Sequence, residues 1–247
     1  MAKIEFFQPN ALNSMDSWSS ESYVNSQGET RLTALNYLEN NIITAQVQGF
    51  DISEADAMAA NSFEPILAGD DILVGSWGDD VLMGYSKQDQ INGGDGDDFI
   101  HGMHGKDILR GGIGDDEIRG GHGPDELWGE LGSDFLWGGV GRNTLYAGSE
   151  DLAHDDLYVP VDSLKNEEYG NPNGANRDLL YEVGLEDAIW IEGIADAGLT
   201  YQAGITDPHG SGSTGVGIYA NGTLEALVVG DLSVADVAGM TTGGFFA

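Results

Sequence analysis

From Ile66 the chain falls into nine consecutive nine-residue blocks with no insertion: ILAGDDILV, GSWGDDVLM, GYSKQDQIN, GGDGDDFIH, GMHGKDILR, GGIGDDEIR, GGHGPDELW, GELGSDFLW and GGVGRNTLY. The first position is Gly in eight blocks. The fourth is Gly in eight, with Lys87 the exception. The sixth is Asp in eight, with Asn143 the exception, and the eighth is Leu or Ile in all nine. A phase held this long constrains the fold severely. Each block has one large aliphatic side chain, so it can bury that side chain only against its neighbours, and the blocks must stack.

The columns predict what each position does. Positions 7–9 form a short strand, and position 8 points inward. Leu73, Leu82, Ile91, Ile100, Leu109, Ile118, Leu127, Leu136 and Leu145 then stack into a narrow core. Positions 1–6 form a tight turn, whose glycines permit left-handed backbone and close approach of carbonyls. Two blocks make one coil of 18 residues, so a block stacks on the next but one, with strands about 4.8 Å apart. The acidic side chains line up as two ladders. One holds Asp71, Asp89, Asp107 and Asp125 and ends at Asn143; the other holds Asp80, Asp98, Asp116 and Asp134.

Like charges stacked so closely repel, and the whole chain shares the problem. It has 42 acidic and nine basic side chains, for a net charge of −33. Five Trp, nine Tyr and eight Phe argue against disorder throughout. Hard cations between successive turns relieve the repulsion, since carboxylates and turn carbonyls are the oxygens such ions take. The acidic balance argues against nucleic acid as a partner, which demands Lys and Arg, and against an anionic membrane surface. No Cys is present, so there is neither a disulfide nor a thiolate metal site. No apolar run reaches the length of a membrane span. The start, MAKIEFFQPN, has no apolar stretch of the kind a cleaved signal peptide needs.

The column pattern GGxGxDxUx, with U a large aliphatic, resembles the RTX, or haemolysin-type, calcium-binding repeat family. The resemblance covers about a third of the chain. It implies an all-β fold with a right-handed parallel β-roll over 66–146, between β-rich caps at 1–65 and 147–247. It implies Ca²⁺ between the turns, held by Asp71, Asp80, Asp89, Asp98, Asp107, Asp116, Asp125, Asp134 and Asn143. The turn glycines Gly69, Gly78, Gly96, Gly105, Gly114, Gly123 and Gly132 would bring backbone oxygens to the same ions. Nine blocks offer at most about seven gaps, four on the first ladder and three on the second. Lys87 should weaken the gaps flanking Asp89, and Asn143, which brings no charge, the last gap of its ladder. The family implies type I export without an N-terminal signal, and so an extracellular or cell-surface location. Gly215 to Gly243 is similar to C-terminal segments of cyanobacterial RTX-type proteins.

The N-terminal flank predicts strands at Ile4–Phe7, Arg31–Leu38 and Ile42–Val47, a helix from Ser53 to about Asn61, and a last strand handed to the roll. The C-terminal flank predicts strands at Leu157–Val161, Leu179–Val183, Ala188–Glu192, Thr200–Ala203, Val216–Ala220 and Thr223–Val229. A short helix follows at Ser233–Met240. Together these suggest an antiparallel β-sandwich or jelly-roll-like cap, with an exposed loop at 164–178. Asp178, Glu186 and Asp187 are further acidic candidates there.

No HExxH and no GxSxG occurs, so neither a zinc protease nor an α/β-hydrolase is expected, and the chain is taken as non-catalytic. His101 and His104 are read as surface residues ahead of a transition-metal pair. Asp207-Pro208 is read as a turn ahead of a self-cleavage bond, and Asn221-Gly222 as a hairpin turn. Trp128, Tyr146 and Trp137 either pack beneath the C-terminal cap or offer a stacking platform for sugar. An extracellular structural, surface-layer or adhesion component is the first functional expectation. An accessory or polysaccharide-binding module is the alternative.

Overall fold

The computed structural model describes residues 69–148, 153–161, 177–195, 198–207 and 212–244, and the backbone of 3–6, 18–24, 30–39 and 42–53. The N-terminal strands are β1 (Lys3–Phe6), β2 (Trp18–Val24), β3 (Thr30–Glu39) and β4 (Ile42–Ser53). The repeat supplies β5 (Ile72–Val74), β6 (Val81–Met83), β7 (Gln90–Asp95), β8 (Phe99–His104), β9 (Ile108–Ile113), β10 (Glu117–His122), β11 (Glu126–Leu131), β12 (Phe135–Val140) and β13 (Thr144–Tyr146). Then follow β14 (Asp156–Pro160), β15 (Asp178–Tyr181), β16 (Ala188–Glu192), β17 (Leu199–Thr206), β18 (Thr214–Ala220), β19 (Thr223–Val229), a helix α1 (Val234–Met240) and β20 (Thr241–Gly244).

Alternate blocks go to opposite sheets, as the 18-residue coil demands. β5, β7, β9, β11 and β13 pair in parallel in one sheet, and β6, β8, β10 and β12 in the other. The register keeps eighth positions opposite one another: Leu73↔Ile91↔Leu109↔Leu127↔Leu145 and Leu82↔Ile100↔Ile118↔Leu136. All nine are at most 2% exposed, so the two sheets share one thin aliphatic core. The fold is the expected all-β parallel roll.

The flanks pair differently from expectation. At the N-terminal side the roll is met by the first strand, not the last: β1 lies parallel to β5 and antiparallel to β4. β4 is longer than predicted and takes in Ser53, where a helix was expected to start; the rest of that helix lies outside the described residues. The loop expected at 164–178 lies largely outside them as well. Past Tyr146 the predicted strands form, but not as an antiparallel sandwich. β14, β16 and β20 continue one sheet in parallel, and β15 and β19 continue the other. Antiparallel pairing there is confined to β17–β18–β19. An alternating strand shows only that one face is buried, not which direction its neighbour runs. Leu157 and Ile189 extend one core column, and Leu180 the other, all 0% exposed.

Two local readings hold. Asn221 and Gly222 turn the β18–β19 hairpin with φ of 50° and 86°, the left-handed pair such a turn requires. Ser233 caps α1, accepting from the Asp236 N–H while the Asp236 carboxylate accepts from the Ser233 N–H.

Glycine at the fourth position is imposed by the neighbouring coil. A Cβ on Gly123 would lie 1.5 Å from the Gly105 carbonyl oxygen, and one on Gly132 1.9 Å from that of Gly114. Both glycines have left-handed φ, 136° and 132°. Lys87 adopts the same region at φ 85°, a conformation that penalises a side chain. Lys87→Gly is expected to raise stability by about 1 kcal/mol, read as a higher urea midpoint. Leu109→Ala, by contrast, should cost roughly 2–5 kcal/mol in the same measurement because the thin core cannot collapse around the cavity.

Candidate metal centre

The sixth position of each block immediately precedes a strand at the turn edge of the roll, and its side chain is buried. Its first carboxylate oxygen has a fixed task. The Asp71 N–H donates to Asp89 Oδ1 at 2.8 Å, Asp89 to Asp107 at 2.9 Å, and Asp107 to Asp125 at 3.0 Å. On the other edge Asp80 donates to Asp98 at 2.7 Å, Asp98 to Asp116 at 2.8 Å, and Asp116 to Asp134 at 2.9 Å. Each carboxylate thus binds the backbone of the preceding coil, and the two predicted ladders exist as continuous rows.

The second oxygen is different. Oδ2 of Asp89, Asp98, Asp107, Asp116 and Asp125 is buried and has no hydrogen-bond partner. It faces the first-position glycine of its own block. A Cβ built on Gly93 would lie 2.1 Å from Asp98 Oδ2 and 2.7 Å from the Gly111 carbonyl oxygen; on Gly102, 2.4 Å from Asp107 Oδ2 and 2.8 Å from the Gly120 oxygen. A carboxylate oxygen and a carbonyl from the next coil therefore converge where any side chain would stand. The first-position glycines were not among the predicted site residues, which named the fourth-position set. Their recurrence in eight blocks was the available signal.

Burial sets the electrostatics. It is the main force pushing Asp89, Asp116 and Asp125 up to about 8, and Asp98 and Asp107 up to about 6, from an ordinary 3.8. The accepted backbone N–H opposes the shift in each case. Neighbouring carboxylates add to it at Asp89, Asp98, Asp116 and Asp125, while His104 lowers Asp107. Unshared buried anions of this kind call for a cation or a proton. Among the described residues no group of three or more His, Cys, Asp or Glu side chains could hold a metal ion. A cation at the ladders must therefore draw ligands from backbone carbonyls, which suits a hard, oxygen-seeking ion. Orphaned buried oxygens beside converging carbonyls fit Ca²⁺.

The ladders run past the last block. Asp134 N–H donates to Asp155 Oδ1 at 2.9 Å, Asp155 to Asp187 at 3.1 Å, and Asn143 to Asp178 at 2.8 Å. The sequence separations are 21, 32 and 35 residues, so the 18-residue period is lost although the half-repeat Asp-x-aliphatic-aromatic survives. Asp178 and Asp187 had been noted as candidates; Asp155 had not. Some rungs are complete without a cation. Asn143 Nδ2 donates to the Gly139 carbonyl at 3.3 Å, Asp187 Oδ2 accepts from Gly184 N–H at 2.6 Å, and Asp80 Oδ2 accepts from Ser76 N–H at 2.6 Å.

The histidines pair otherwise than in sequence. His104 stacks on His122, one coil away, with ring centroids 4.9 Å apart, rather than joining His101. The aromatic column on the outer face stacks ring on ring and reaches the C-terminal flank through Tyr181. Arg110 lies over Trp128 at 4.6 Å, Trp128 stacks on Tyr146 at 3.6 Å, and Tyr146 on Tyr181 at 5.0 Å. These rings spend their faces on one another, so they do not form a flat platform open to sugar. Trp137 stands on the opposite sheet beneath Arg119.

These features define a parallel β-roll of stacked glycine/aspartate turns. Residues 67–89, 83–118 and 110–145 match the family model of the RTX calcium-binding nonapeptide repeat (four copies). Across 67–145, about a third of its length, the chain is similar to RTX calcium-binding nonapeptide repeats, and this supports a calcium-binding repeat protein. No curated protein matches it.

The raised carboxylates give a pH signature. Metal-free, the folded chain keeps protons that the unfolded chain releases above pH 3.8, so stability is greatest below about pH 4 and falls as pH rises towards 8. Calcium binding must expel those protons and should strengthen over the same interval. Urea midpoints from pH 4 to 8, with chelator and with calcium, should show opposite slopes.

Proposed function

We propose that the roll binds several Ca²⁺ ions between its turns and that binding completes its folding outside the cell. The buried, unpartnered Oδ2 atoms of Asp89, Asp98, Asp107, Asp116 and Asp125 carry this reading. The ions would be held by the two Asp rows and by turn carbonyls. What calcium supplies when bound is charge compensation and oxygen coordination. The chain's own part is to bury the carboxylates, fix one oxygen of each on a backbone N–H, and keep side chains away from the other.

General energetics of calcium modules support an extracellular setting. Extracellular calcium modules bind at about 10⁻⁴–10⁻³ M, so such sites stay empty in a cytosol and fill outside it. Each site filled at one hundred times its dissociation constant adds about 2.7 kcal/mol to folding. A chain whose fold waits for calcium suits type I export, which passes an unfolded polypeptide. The role that fits best is non-catalytic: a structural, surface-layer or adhesion component, with 66–146 as the calcium roll and 1–65 and 147–247 closing its ends. A search of polysaccharides for selective binding tests the alternative of a carbohydrate-binding module.

Far-UV circular dichroism during a calcium titration from a chelated start is the direct test. A cooperative gain of β signal at sub-millimolar to millimolar calcium, absent with magnesium, is expected. A spectrum fully folded in chelator and indifferent to calcium would show the turns to be a preformed scaffold.

A further inference from the structure

The two turn edges of the roll are chemically unequal. The edge built from 75–80, 93–98, 111–116 and 129–134 carries nine acidic side chains and no basic one. The opposite edge, built from 66–71, 84–89, 102–107, 120–125 and 138–143, carries five acidic side chains and three basic ones, Lys87, Lys106 and Arg142. The buried rows do not account for this. Asp98 and Asp116 on the first edge are 3% and 2% exposed, Asp89 and Asp107 on the second 1% and 0%, and all four have an unpartnered Oδ2.

The difference lies mainly at the fifth repeat position. On the first edge Asp79, Asp97 and Asp115 form an exposed outer row with its own ladder. Asp97 N–H donates to Asp79 Oδ1 at 3.1 Å, Asp115 to Asp97 at 2.9 Å, and Ser133 to Asp115 at 2.9 Å. This row lines one open groove together with the buried Asp98 and Asp116. On the second edge the same position holds Asp70, Gln88, Lys106, Pro124 and Arg142, and Lys87 precedes Gln88. Lys87, Lys106 and Arg142 are exposed. A divalent ion at the buried row therefore meets additional carboxylates on one edge, and ammonium and guanidinium groups on the other. Calcium affinity rises with the number of charged ligands and neighbours.

We infer that the roll fills from one side: the edge bearing Asp79, Asp97 and Asp115 binds calcium on the order of tenfold more tightly than the edge bearing Lys87, Lys106 and Arg142. The three cations of the second edge offset part of its carboxylate charge, so that edge assembles with less demand for calcium. This rests on the calcium reading above and assigns the outer Asp row a role in tuning it.

The test is isothermal calcium titration of the full chain and of two triple variants, D79N/D97N/D115N and K87Q/K106Q/R142Q. Asn keeps the oxygen that accepts the backbone N–H, and all six residues are exposed, so circular dichroism at saturating calcium should match the parent. The parent should titrate in two phases. The Asp→Asn variant should lose about tenfold in the tight phase and leave the weak one unmoved, and the Lys/Arg→Gln variant should tighten the weak phase alone. A single phase in the parent, or equal shifts of both phases in either variant, overturns the inference while leaving calcium binding intact. No calcium uptake by the parent overturns the calcium reading and this inference with it.

Discussion

The structure depends on one contact repeated along two edges: a carboxylate oxygen accepting the backbone N–H of the coil before it. At 2.7–3.0 Å within the repeat, these bonds tie each turn to the next and pull the carboxylate out of water. At Asp89, Asp98, Asp107, Asp116 and Asp125 the same geometry leaves the second oxygen with nothing to accept. An aspartate so placed is half satisfied, and a row of them is a row of partly compensated charges. Shortage of basic side chains makes the shortage of partners worse, since nine cannot serve 42 acids. The glycines complete the constraint. They let neighbouring carbonyls reach the unsatisfied oxygen, and they close the space to any side chain that might satisfy it instead. The chain is thus built to leave a gap shaped for an oxygen-seeking cation.

How much of this was legible depended on whether the period was kept. Within 66–146 the nine-residue phase fixed where each strand starts, the sheet to which each block goes, the buried column and the membership of both Asp rows. It placed the strand ends too early, since β7 to β12 run on through the first three positions of the following block, which were expected to belong to the turn. Beyond Tyr146 the same half-repeat recurs as Asp155-Asp156-Leu157-Tyr158, Asp178-Leu179-Leu180-Tyr181 and Asp187-Ala188-Ile189-Trp190. Insertions between the pieces hide the coil from any search by period. Strand alternation survives insertion, so the strands were found; parallel pairing is a relation between distant segments, so it was not. The aromatic column shows the limit in another way. Ninth-position spacing placed Trp128 beside Tyr146, but no spacing tells whether rings present faces or edges. Close parallel register forces the face-to-face stack at 3.6 Å and excludes the open platform.

The fate of the second oxygen also varies with position. Near the start of one row Asp80 takes the Ser76 N–H, and past the repeat Asp187 takes the Gly184 N–H, while Asn143 supplies its own donor to Gly139. Several rungs at or near the ends are therefore completed by the protein itself, whereas Asp89, Asp98, Asp107, Asp116 and Asp125 in the middle are not. A solenoid needs ends that do not ask for another coil. Here part of the capping is done by hydrogen-bond chemistry at the turn edges, without a change in strand direction, and the roll passes into its flank through shared sheets.

That continuity bears on cooperativity. The Leu145–Leu180 core contact, the Asn143–Asp178 hydrogen bond and the Tyr146–Tyr181 stack all cross from the last repeat into β15. Inside, at the edge and outside, the same two strands are joined by three kinds of interaction. In a stack whose stability is a sum of nearest-neighbour terms, an interface reinforced in this way does not open before its neighbours. Cation binding in the repeat and order in the segment that follows are thereby coupled. A gain at the turns is transmitted through β13 into β15 and, through their pairing, into β19. The reverse holds as well, because linkage is reciprocal: order in the C-terminal strands favours the register in which the buried carboxylates face their glycines.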